Sequence, residues 1–163
     1  MKRLIPVTVV ATCAAFVLAS QQWVDYTSPY GCFSISFPSQ YKIEKKSNKK
    51  MSFESASLDV GKISYEALVE DFENIPEFRQ NPITFMDKAI VSVKSGSWTP
   101  RDVKAFNVNG RQGRLATYTR GTEQMRTYLI ADGNYLVIVS VNGPAGVLES
   151  QDTTKYFNSF RLK

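Results

Sequence analysis

The stretch DVKAFNVNGRQGRLATYTRGTEQMRTYLIADGNYLVIVSVN, residues 102–142, decides the fold. It divides into four strand-like runs: Val103–Val108, Arg114–Thr119, Gln124–Ala131 and Tyr135–Val141. Short turns at Asn109-Gly110, Arg120-Gly121 and Asp132-Gly133-Asn134 join them. Asn-Gly between two such runs is a strong local hairpin signal, because a type I′ turn needs positive φ at both central residues. The last run is apolar on both faces, with Tyr135, Val137, Val139 and Val141 on one and Leu136 and Ile138 on the other. A strand of that kind belongs in the middle of a sheet with material packed over each side. The expected fold class is therefore α+β, an antiparallel β-sheet flanked by helices on both faces.

Outward from this core, Phe33–Phe37 alternates cleanly and stops at Pro38, and Tyr41–Glu44 reads as a second short strand. Lys45, Lys46, Lys49 and Lys50 then surround Ser47-Asn48 in a basic loop. Such a loop suits an anionic lipid or an acidic partner, or is simply a solvated tip that guards a sheet edge. Met51–Leu58 and Lys62–Val69 form a hairpin about Asp59-Val60-Gly61. An acidic loop follows, with Glu70, Asp71, Glu73 and Glu77 broken by Pro76, and its spacing matches no calcium loop. Asn81 caps a helix with Pro82 at its first position; Ile83, Met86, Ala89, Ile90 and Val93 share one side, and Gly96 closes it. A last helix, Glu149–Ser159, places Tyr156, Phe157 and Phe160 on a buried side.

Residues 1–19 have the pattern of a secretory signal peptide: Lys2 and Arg3, an apolar run Leu4–Leu18, then small residues at Ala19 and Ser20. The apolar run falls short of the roughly 20 residues of a spanning helix. The expectation is an exported, periplasmic or secreted protein in which residues 20–163 form a single domain. Removal of the signal takes Cys13 with it and leaves Cys32 alone, so no internal disulfide can form. Cys32 is then a covered small residue or a thiol available between chains.

The chain contains no histidine. Ser-His-Asp and Cys-His mechanisms are excluded, as are most zinc sites. Carboxylate-only chemistry survives, with Glu66 and Glu123 as its candidates, yet nothing in the sequence fixes two carboxylates at a working separation. The net charge is +5, of which Lys2 and Arg3 contribute two, and without clustering it does not argue for nucleic acid. Gly110-Arg111-Gln112-Gly113 lies between strands with no following helix to hold a phosphate. Arg111, Arg114, Arg120 and Arg126 fall in one hairpin region and form either an anion patch or solvated strand-edge charges.

The string RTYLIADGNYLVIVSVNGPAG (126–146), followed by TTKYFNSFRL (153–162), resembles the end of PsbP-like domains, including small exported bacterial members. Phe157-Asn158-Ser159-Phe160 matches their Phe-x-x-Ser-Phe helix ending, and YGCFSISFP (30–38) looks like their opening strand. The resemblance implies an α+β sandwich and a non-catalytic role. PsbP itself is an extrinsic photosystem subunit, and other members of the fold bind small GTPases or are exported proteins of unassigned role. A simple secretory signal with no long docking extension points away from the photosynthetic role.

Three functional readings follow. The first is an exported, non-enzymatic domain binding a protein or envelope component, with Trp23, Tyr26 and Tyr30 as interface aromatics near the terminus. The second is a small apolar-ligand binder with a pocket between sheet and helix, lined by Trp98, Phe106 and Tyr118. The third is a carboxylate-only hydrolase. None calls for a cofactor, a metal or nucleic acid, and membrane association is not expected once the signal is removed.

Overall fold

The computed structural model describes residues 22–93 and 97–163. Residues 1–19, read from the sequence as a signal peptide, and Gly96 lie outside the described residues. Ten strands form two antiparallel sheets: β1 Val24–Thr27, β2 Phe33–Phe37, β3 Lys42–Ser47, β4 Ser52–Val60, β5 Ile63–Asp71, β6 Thr99–Val108, β7 Arg111–Arg120, β8 Glu123–Asp132, β9 Tyr135–Pro144 and β10 Arg161–Leu162. The α-helices are α1 Pro76–Gln80, α2 Pro82–Ser92 and α3 Gln151–Ser159, with a 3-10 turn at Val147–Glu149 before α3.

The large sheet runs β3-β4-β5-β9-β8-β7-β6, so two meanders meet where β5 pairs with β9. β9 is the middle strand, as its two apolar faces require. Val137, Val139 and Val141 enter one core with Tyr65, Ala67 and Val69. Leu136 enters the other with Leu129, Phe72 and Met86. Asn109 and Gly110 have φ of 52° and 80°, the double positive of the expected type I′ turn.

The flanking is where the expectation fails. The protein is mostly β, and helices do not flank the sheet on both faces as expected. The face carrying Tyr65 and Val139 is covered largely by the second sheet, ordered β1-β2-β10. Phe33, Ile35 and Phe37 of β2 all point into that core with Tyr26 of β1. The physical reason lies at the two ends of the chain. Residues 23–30 read in the sequence as an aromatic lead-in, but within them Val24–Thr27 pairs with β2 from Phe37 back to Ser34. Arg161 and Leu162 pair with Ser34 and Phe33 on the other side. Pairing of this kind satisfies backbone groups that a helix would have satisfied internally. α3 packs beside this small sheet, with Tyr156 wedged between Phe37 and Tyr65.

On the opposite face α1 and α2 cover Phe72, Leu129, Leu136 and Tyr118. Asn81 caps α2 as expected, its side chain accepting from the Thr84 N–H at 3.3 Å. The acidic loop after β5 instead contains α1, whose Phe78 is fully buried against Phe72 at 4.6 Å between ring centres.

Candidate binding cleft

β3 and β4 meet in a hairpin whose tip is Asn48–Met51, closed by the Asn48 N–H to Met51 carbonyl bond of 2.9 Å. Beside it the turn Ser28–Gly31 leads from β1 to β2, and between them lies a cleft of about 310 Å³. Pro29, Tyr30, Lys45, Lys46, Ser47, Ser52, Phe53 and Glu54 line it. Tyr30 is 36% exposed, but it is held in place. Its ring stacks on Tyr135 at 4.9 Å, and its hydroxyl shares a 3.0 Å hydrogen bond with Ser52 Oγ.

The floor is a buried carboxylate, Glu54, held by the buried Tyr26 and by the exposed Lys45. Glu54, 4% exposed, accepts from Tyr26 Oη at 2.9 Å on Oε1 and meets Lys45 Nζ at 2.6 Å on Oε2. A carboxylate so deeply placed is tolerable only with such partners. Burial first, and the hydrogen bond to Glu54 second, push the Tyr26 phenol far above its ordinary range. The rim is cationic. Lys46 pairs with Glu44 at 2.5 Å and lies 5.5 Å over the Phe53 ring, while Lys49 and Lys50 are exposed at the tip.

The sequence-derived candidates do not gather in one place. Tyr30 lines this cleft, and Tyr26 lies buried behind it, reaching it only through its bond to Glu54. Trp23 is half-buried elsewhere, with Lys155 Nζ 4.3 Å over its ring. Trp98 and Tyr118 belong to the core beneath α2, whereas Phe106 packs on Tyr128 across the sheet, at 5.7 Å. One pocket cannot hold all three. A small pocket of about 120 Å³ does lie between the sheet and α3, lined by Tyr128, Val139, Phe157, Asn158 and Phe160. It is smaller than the ~300 Å³ at which ligand sites begin.

The arginine cluster resolves into separate contacts. Arg111 binds Asp132 at 2.7 Å, Arg114 binds Asp87 at 2.9 Å, and Arg120 binds Glu123 at 2.7 Å while lying 4.4 Å over Trp98. Arg126 lies 6.0 Å over Phe157. Cys32 is buried, its Sγ 3.4 Å from Ser28 Oγ, and burial pushes its thiol pKa up. Glu44, Glu66 and Glu70 share an open part of the sheet around Leu68, and burial raises the pKa of Glu66 and of Glu70. Glu66 and Glu70 stand four residues apart on β5, about 13 Å along the strand, with Leu68 between them. At that separation Glu66 and Glu70 do not act on one bond. Among the described residues no group of three or more Cys, Asp or Glu is placed to hold a metal ion. Nor is any described helix long and apolar enough to cross a membrane.

What the sequence missed here is Glu54 and the Tyr26–Glu54–Lys45 contact. The alternation of β4 offers the signal: Glu54 falls in step with Ala56 and faces Tyr26 across the sandwich.

No protein-family model and no curated protein matches this chain. Among solved structures it is similar to cyanobacterial PsbP (CyanoP) from Synechocystis sp. PCC 6803, with a TM-score of 0.56 and 10% sequence identity over 94% of this chain and 99% of that one. At that identity the likeness is one of architecture, and the chain carries a PsbP-like fold.

Proposed function

We propose that the protein is an exported, non-catalytic binding module that engages an anionic surface of a protein or envelope component through the cleft beside Tyr30. The observation that carries this reading is the cleft's construction. A half-exposed aromatic ring is held by stacking and by a hydroxyl bond, next to a lysine rim, on a floor where a buried carboxylate meets an exposed lysine. Rigid aromatics bordered by polar groups supply contact area at low entropic cost, which is how binding anchors work. The PsbP-like fold supports a binding role over a catalytic one, and the absence of histidine supports it from composition. Export rests on the signal pattern of residues 1–19, and the N-terminal residue of the protein isolated from its host tests it. A chain that still begins at Met1 would overturn it.

The binding reading is tested by cross-linking in intact cells with wild type, Tyr30→Ala and Lys46→Glu. Both side chains are exposed, so the fold should survive, which thermal melting will check. A discrete adduct should form with wild type, weaken in both variants, and fade as salt rises, since exposed charge contacts are screened. An adduct unchanged by both substitutions would sink the assignment to this cleft. The apolar-ligand reading is not favoured, because the pocket between the sheet and α3 measures about 120 Å³.

A further inference from the structure

Among the described residues the large sheet ends in two unpaired edges, β3 and β6, and they are built differently. β3 reads KIEKKS, with Lys42, Lys45 and Lys46 against one Glu44; two such edges repel each other. β6 is ten residues long, and from Arg101 to Ala105 every residue is exposed. Val103 is 45% exposed at its centre, flanked by Asp102 and Lys104, which pair within the strand at 2.7 Å.

We propose that the β6 edge pairs with β6 of a second copy of this chain, antiparallel about a two-fold axis at Val103. In that register Val103 faces Val103 of the other copy, and Asp102 of each faces Lys104 of the other. The four charges then alternate in sign on one side of the joined sheet, and the two valines meet on the other. An isologous pairing of this kind requires a strand that is complementary to itself, and here the charge order Asp-Val-Lys supplies it. A shift of two residues in register sets Asp102 against Phe106 and loses both ion pairs, so the charges specify the alignment. The bulge between Pro100 and Asp102 interrupts the edge on one side, and because the two-fold sets Ala105 of each copy against Arg101 of the other, it limits the seam to Arg101–Ala105. A single strand seam covers less than a stable interface of roughly 1,200 Å², so the dimer is expected to be concentration-dependent.

The test is sedimentation equilibrium of the protein up to roughly 1 mM chain, with Asp102→Lys, Lys104→Asp and the double reversal. The wild type should dimerise. Each single reversal places like charges opposite each other and should weaken the dimer at least about tenfold, whereas the double variant restores opposite pairs and should return to within roughly threefold of wild type. Amide exchange of the wild type, low against high concentration, supplies a readout that needs no variant: protection should rise within Arg101–Ala105 alone. A wild type monomeric throughout, a dimer indifferent to the single reversals, or protection appearing in β3 instead would each overturn the proposal.

Discussion

Two tyrosines show how one side-chain oxygen can either hold a structure or burden it. Tyr26 and Tyr118 are both buried, but Tyr26 donates to Glu54 and Tyr118 Oη has no hydrogen-bond partner among the described residues. Tyr26→Phe strips a buried carboxylate of one bond and should cost about 1.5–3 kcal/mol by urea unfolding. Tyr118→Phe removes an unpaired hydroxyl and should leave stability at neutral pH unchanged or slightly raised. The two also differ at high pH. Burial pushes the Tyr118 phenol up to about 12. Its unfolded value is near 10, so above pH 10 the unfolded chain releases a proton that the folded chain keeps. Stability is therefore fully present below pH 10 and lost as pH rises towards 12, by up to roughly 2–3 kcal/mol from this group. Tyr26 and Tyr156 are shifted the same way by burial, so the wild-type slope is steep. Tyr118→Phe should flatten it between pH 10 and 12, as read from denaturant unfolding at stepped pH. An unchanged slope would refute the assignment.

At the scale of elements, the ends of the chain depend on each other. β10 hydrogen-bonds β2, the Lys163 N–H donates to the Cys32 carbonyl at 3.0 Å, and Arg111 Nη2 reaches the Lys163 carbonyl at 3.0 Å. Deleting residues 161–163 removes all three contacts and leaves one side of β2 open. Cys32, 7% exposed in the intact protein, should then react with a neutral thiol reagent at least roughly tenfold faster, since local opening sets the rate for a buried group. A rate equal to that of the intact chain would show that β10 does not secure this edge. This pairing was not legible in the sequence, because a two-residue strand has no periodicity to detect. β1 was missed for a related reason: Val24–Thr27 carries a single buried residue, Tyr26, and four residues cannot display alternation. The meander from β6 to β9 and the cap of α2 were legible, since hairpin turns and caps are local chemistry. The basic loop was placed nearly right, but Lys45 and Lys46 proved to be strand residues, Lys45 paired with Glu54 across the strands and Lys46 with Glu44 along its own. The cleft itself joins residues 30, 45 and 54 through tertiary packing, and no local pattern announces it.

At the scale of the molecule, β9 contributes to two cores at once, and that couples the layers. Removing the small sheet and α3 would uncover Val139, while removing α1 and α2 would uncover Leu136, three residues back on the opposite face of the same strand. Neither layer can open without leaving a strand of the other core half solvated, so unfolding should be a single transition. The two tryptophans make this measurable, because Trp98 is buried beneath α2 and Trp23 packs against the opposite core. Trp23→Phe and Trp98→Phe each leave one fluorescent reporter per layer, and their urea curves should share a midpoint once corrected for the small stability difference between variants. Leu136→Ala and Val139→Ala act on opposite faces, yet each should move both reporters together. Leu136→Ala, at about 2–5 kcal/mol and a slope of about 1–3 kcal/mol per molar urea, should shift the midpoint by roughly 1 M or more. Earlier loss of the Trp98 signal alone would mean that the α1–α2 layer unfolds as an independent unit and that β9 does not bind the two faces into one cooperative structure.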